Sequence, residues 1–131
     1  MLCQKWVAVL SVVTMSFLLT ACGETPIKNV SHSSVSISID KKEQVRKSIK
    51  TAGASLGWVI KDIDDNTLEA TLILRKHVAI VTIPYSEKEY SLLYKSSENL
   101  RYDAEKKTIH KNYNSWITNL DRQIQVQLSV L

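Results

Sequence analysis

Hydrophobic residues follow three rhythms along this chain. From Trp6 to Leu19 they run almost unbroken, relieved only by Ser and Thr; over Val45–Leu56 and Ile109–Leu128 they recur every three or four residues; between those stretches they mostly alternate. Val35, Ile37 and Ile39 alternate with Ser and predict a short, half-exposed strand. Asp40 fits the N-cap of a helix, its carboxylate accepting amides of the first turn, and Val45, Ile49, Ala52 and Leu56 form that helix's apolar face. Gly53 weakens it near its end and Gly57 suits the residue that closes it. Trp58–Ile63 reads as a strand running into the turn composition Asp64-Asp65-Asn66.

Leu68, Ala70, Leu72 and Leu74 line one face of the next strand. A two-residue hairpin at Lys76-His77 pairs Arg75 with Val78, both outward, and continues with Ala79, Val81 and Ile83 inward. Pro84 closes that strand or marks a bulge. Glu89–Lys95 places Tyr90, Leu92 and Tyr94 on one side, and Ser96-Ser97 reads as a turn. The last helix is the clearest element: Ile109, Tyr113, Trp116, Ile117, Leu120, Ile124 and Leu128 fall in a stripe of about 120°, the width that packs on a sheet, with Thr108 as its N-cap. The order β-α-β-β-β-β-α predicts an α+β two-layer sandwich, an antiparallel meander of four to five strands with two helices on one face. Outward on the hairpin stand Ile73, Val78 and Ile80. They fit either cross-strand packing among branched neighbours or an exposed patch for a partner or a second copy.

The unbroken apolar run follows Lys5 and precedes the small residues Thr20-Ala21, which is the layout of a secretory signal peptide over residues 1–21. It is shorter than the roughly 20 residues a membrane-spanning helix needs. Leu19-Thr20-Ala21-Cys22 resembles the lipobox of bacterial lipoproteins. That resemblance implies cleavage before Cys22, a diacylglyceryl thioether on its sulfur and acylation of its new amine, hence a lasting membrane anchor. Gly23, where Asp would mark inner-membrane retention in Gram-negative lipoproteins, implies export to the outer membrane, facing the periplasm, in such a host. Residues 23–34, polar and Ser-rich with Pro26, read as a flexible tether after the lipidated cysteine, leaving 35–131 as the single α+β domain.

Composition narrows the function classes. Of the two cysteines, Cys3 leaves with the signal and Cys22 carries lipid, so the mature domain has no disulfide and relies on its core. Without Lys5, 16 basic residues stand against 13 acidic ones, interspersed as on a solvated surface. That balance suits mild attraction to anionic lipid or sugar polymers, but no basic stripe with interleaved aromatics points to nucleic acid.

No motif for catalysis, metal or cofactor stands out. His32, His77 and His110 lack ligand spacing, Asp62, Asp64 and Asp65 lack the glycine and distal Glu of a calcium loop, and no G-x-S-x-G accompanies Ser97. The chain is therefore expected to be no enzyme, with no metal and no cofactor. The polar and aromatic residues of 94–116, chiefly Tyr94, Ser97, Asn99, His110 and Asn114, are the candidates for a small-ligand or cell-wall-fragment pocket. The stretches GWVIKDID, TLILRKHVAIVTIPY, YSLLYKSSENLRYD and IHKNYNSWITNL resemble a group of small bacterial lipoproteins that share a strand meander, a Tyr-x-x-Ser-x-Asn-Leu-like link and a final helix bearing His, Tyr-Asn and Trp. The resemblance implies the envelope compartment and no particular activity. Together these readings point to a non-enzymatic binding or assembly module at the membrane surface, held by Cys22 and meeting an envelope protein partner.

Overall fold

The computed structural model describes residues 23–34 and 42–131. Cys22, the expected strand at Val35–Ile39 and the expected cap Asp40 lie outside the described residues. Seven strands and two helices follow in order: β1 (Glu24–Pro26), β2 (Val30–Ser34), α1 (Lys42–Ser55), β3 (Val59–Asp64), β4 (Thr67–Leu74), β5 (His77–Pro84), β6 (Glu89–Glu98), β7 (Thr108–His110) and α2 (Lys111–Ser129). Strands β2-β6-β5-β4-β3 form one antiparallel sheet, and β1 pairs with β7 in a separate ribbon. The fold is α+β, with α1 and α2 packed against each other and against one face of the sheet.

The alternation read from the sequence places the core. Leu68, Ala70, Ala79, Val81, Ile83 and Leu92 are fully buried from the sheet, and Val45, Ile49, Ala52, Tyr113, Ile117, Leu120 and Ile124 from the helices. Helix α1 ends in a complete left-handed closure. Gly57 sits at φ +85°, and the amides of Gly57 and Trp58 donate to the carbonyls of Ala54 and Gly53 at 3.2 and 2.9 Å. Gly53 is more than a weak helix former. A Cβ there would lie 2.2 Å from Ile60 Cδ1, so its bare backbone is what lets α1 lie close on β3.

Several expectations are corrected. The hairpin turn is Arg75-Lys76, with Leu74 opposite His77 and Ile73 opposite Val78. Moving a turn by one residue moves the pairing by two, so every side chain keeps its face even though the partners change. Arg75 takes the positive φ of 57°, and the turn is held from outside: Asn99 Nδ2 donates to the Lys76 carbonyl at 2.7 Å, and His77 Nδ1 bonds the Asn99 carbonyl at 2.8 Å. Leu74 and Leu56, expected inward, are 48% and 38% exposed because each lies where its element ends. Ser96 and Ser97 belong to β6, which runs on to Glu98. Thr108 is a strand residue, and the N-cap of α2 is His110, whose Nδ1 accepts the Asn112 amide at 3.1 Å.

The largest correction concerns residues 23–34, which are not a loose tether. β1 and β2 run beside α2 and onto the sheet edge. Asn114 holds them: its Oδ1 accepts the Lys28 amide at 2.9 Å, and its Nδ2 donates to Thr25 Oγ1 and the Pro26 carbonyl at 2.7 and 2.8 Å. Asn29 Oδ1 accepts the Tyr94 amide at 3.0 Å, and Gln125 Nε2 donates to Ser33 Oγ at 2.9 Å. A polar segment is ordered here by polar partners, so its composition concealed it.

Candidate functional site

Both helices lie on one face of the five-stranded sheet; among the described residues no element covers the other face. Pairing defines what stands on it, because directly opposed residues share a face. Val59, Thr71, Ile80 and Ser96 form one cross-strand row, Ile73, Val78 and Glu98 a second, and Lys61, Glu69, Thr82 and Leu93 a third. Val59 is 71% and Ile73 67% exposed, while Val78, Ile80 and Leu93 are half-buried by their neighbours. Between β3 and β4 the surface dips into a hollow of about 410 Å³ lined by Gly57, Val59, Lys61, Thr71 and Ile73. The expected trio Ile73, Val78 and Ile80 is thus one contiguous surface. Val59 and Leu93 extend it, and only the pairing register could have added them.

A charged row bounds this apolar surface. Glu69 is 8% exposed although it stands on the open face, because Lys61 and Lys95 fold over it, the former at 3.4 Å. Hydrogen bonding from Lys95, then from Lys61, holds its carboxyl below the usual carboxylate range. Lys95 reaches it because β6 bulges there. Ile80 and Val81 are consecutive but face Ser96 and Tyr94, which leaves Lys95 as the extra residue. Two lysines against one carboxylate leave this rim positively charged.

The same bulge decides the fate of the expected ligand residues. It turns Tyr94 and Ser97 to the helix side of the sheet together, where the two hydroxyls bond at 2.9 Å. The Tyr94 ring lies 4.5 Å from that of Tyr102 and edge-on to that of Tyr113 at 5.6 Å. Tyr113 is fully buried and its hydroxyl has no partner among the described residues; that burial pushes its pKa up. Asn99 braces the hairpin turn, His110 caps α2 and Asn114 fastens the amino-terminal strands. Tyr94 and Ser97 meet, and the other three stand at separate structural posts. Ser97 and His110 each bond elsewhere.

A further hollow of about 470 Å³ lies between α1 and the β3–β4 turn, lined by Lys42, Arg46, Asp62, Asp64 and Tyr85 among others. Its lining is acidic on balance, with Glu43, Asp62, Asp64 and Asp65 against Lys42 and Arg46, but Asp62 is engaged: Arg46 and Lys50 both donate to it, holding that carboxyl below the usual range. Among the described residues no three His, Cys, Asp or Glu side chains converge to hold a metal ion, and no helix is long and apolar enough to cross a membrane. No family model matches this chain, and no curated protein or solved structure is detectably similar to it.

Proposed function

We propose that this chain is a lipid-anchored protein of the bacterial envelope whose domain works as a non-enzymatic binding module, docking a partner protein on the open face of its sheet. One observation carries the reading: among the described residues, no element covers the apolar surface built from Val59, Ile73, Val78 and Ile80, while both helices pack on the other face of the sheet. Exposed contiguous apolar surface is costly to keep in water and marks an interaction site. The partner contributes an apolar strand or helix face with acidic residues at its rim, opposite Lys61 and Lys95. Support for the compartment comes from Leu19-Thr20-Ala21-Cys22.

A photo-crosslinking residue at Thr71 in cells is expected to trap a discrete envelope protein, and one at Glu105 is not. Ile73→Lys with Val78→Lys should abolish the adduct while leaving the melting temperature within a few degrees. An adduct that persists in the double variant removes the open face as the docking site. Mass spectrometry of the native protein checks the anchor by the added acyl mass on Cys22. The alternative, a small-ligand pocket at Tyr94, Ser97, Asn99, His110 and Asn114, requires those side chains to trade internal partners for a ligand. Amide shifts centred on all five during titration with cell-wall fragments would favour it.

A further inference from the structure

We propose that the end of the domain where α2 begins faces the membrane, seated on anionic lipid headgroups with the hairpin tip Leu74-Arg75-Lys76 at the bilayer interface; the proposal rests on reading Cys22 as the lipid-bearing residue. The first observation is the absence of slack. The Gly23 carbonyl accepts the Lys111 amide at 2.8 Å, and Glu24 pairs with His110. Cys22 therefore follows directly from a backbone bonded to the first turn of α2.

The second observation is what surrounds that first turn. A relay of hydrogen bonds ties it to the hairpin tip: His110 N donates to the Leu100 carbonyl at 2.7 Å, and Asn99, next in the chain, grips both Lys76 and His77. This end carries four exposed cations, Arg75, Lys76, Arg101 and Lys111, against Glu24 and Glu98, and the loop that follows Tyr102 is balanced, with Asp103 and Glu105 against Lys106 and Lys107. At the other end of the same strands the turns carry Asp64, Asp65, Glu87 and Glu89 against Lys42 and Lys88. A negatively charged membrane attracts the first end and repels the second.

The third observation is the apolar surface beside those cations. Leu74 is 48% and Tyr102 43% exposed, and aliphatic and tyrosine side chains flanked by Arg and Lys suit the headgroup boundary. Helix α2, about 28 Å long, then leads away from the anchor toward the acidic end. The open sheet face is left at the side of the molecule, accessible to a partner in the envelope.

The test uses the full-length lipidated protein in vesicles of phosphatidylcholine with phosphatidylglycerol, and of phosphatidylcholine alone, each doped with a gadolinium-chelating lipid. Paramagnetic broadening of amides is expected to be strongest at Lys76, Arg101 and Lys111 and weakest at Asp65 and Lys88. The ratio between the two ends should fall in phosphatidylcholine alone, and fall toward unity when Arg75, Lys76, Arg101 and Lys111 are all changed to Glu. Lys76→Gln with Lys111→Gln is the milder variant should the fourfold change unfold the chain, and it should lower the ratio partway. Equal broadening at both ends, or a maximum at Asp65, in protein whose mass carries the acyl groups overturns the orientation alone. A ratio unmoved by charge removal overturns the headgroup contact. Protein with an unmodified Cys22 overturns the anchor and this orientation together.

Discussion

Asn114 shows how much one side chain can organise. Its amide donates to two acceptors in the β1 strand and accepts from the Lys28 amide beyond it, across 86 to 89 residues of sequence. The bond to Thr25 is part-buried while those to Lys28 and Pro26 are exposed, so water replaces much of what is lost and removal costs about 0.5–1.5 kcal/mol. Asn114→Ala should lower urea stability by about that much, and hydrogen exchange at the Lys28 amide should accelerate more than exchange in β4 or β5. Asn114→Asp keeps the acceptor for Lys28 and loses the donations to Thr25 and Pro26, so its loss should be intermediate. The residue was visible in the sequence as a polar group bordering the apolar stripe of α2. Its three partners were not, because nothing in a local window records a contact 86 residues away.

At the scale of elements, α1 and β3 form a close joint. Ala is the better helix former by about 1 kcal/mol over Gly, so on propensity alone Gly53→Ala stabilises α1. The contact with Ile60 reverses the sign: a Cβ 2.2 Å from a methyl group forces the helix or the Ile60 side chain aside, at about 1–3 kcal/mol. Gly53→Ala should therefore lower the thermal midpoint, and Gly53→Ala with Ile60→Ala should recover part of the loss in a double-mutant cycle. The β4–β5 hairpin makes the complementary point. Its faces were legible because alternation survives a two-residue change of pairing, while its turn was not. Arg75 at a positive φ looks unfavourable in the sequence, and the clamp from Asn99 that supports it comes from the far end of β6.

For the whole molecule, acid response is set by two ion-paired carboxylates, one on each face of the sheet. Glu69 is held below the ordinary carboxyl pKa by Lys95 and Lys61, so the unfolded chain takes up its proton first as pH falls. The stability this contributes is complete above the ordinary value of 4.5 and is lost as pH drops through the lower folded value. The melting temperature should thus decline as pH falls below about 4.5, and Glu69→Gln should be less stable above that value yet decline less steeply. Asp62, held down by Arg46 and Lys50, contributes in the same direction on the helix side.

The sequence by itself determined which face of each element turns inward, though not where Leu56 and Leu74 at element ends would lie. Periods of two and of 3.6 report which face of an element is wet, and burial of that face is the main favourable term in folding. The α+β class, the meander, the core of α1 and α2 and the outward trio Ile73, Val78 and Ile80 all follow from that local pattern. Tertiary structure alone decided what polar groups do. The tether became two strands, His110 became a cap and Tyr94 was joined to Ser97 by a bulge, because a hydrogen bond depends on which distant donor arrives within 3 Å and leaves no periodic trace along the chain. It also decided that no element among the described residues covers the trio: alternation distinguishes the two faces of a sheet, and only the placement of both helices reveals which one they pack on.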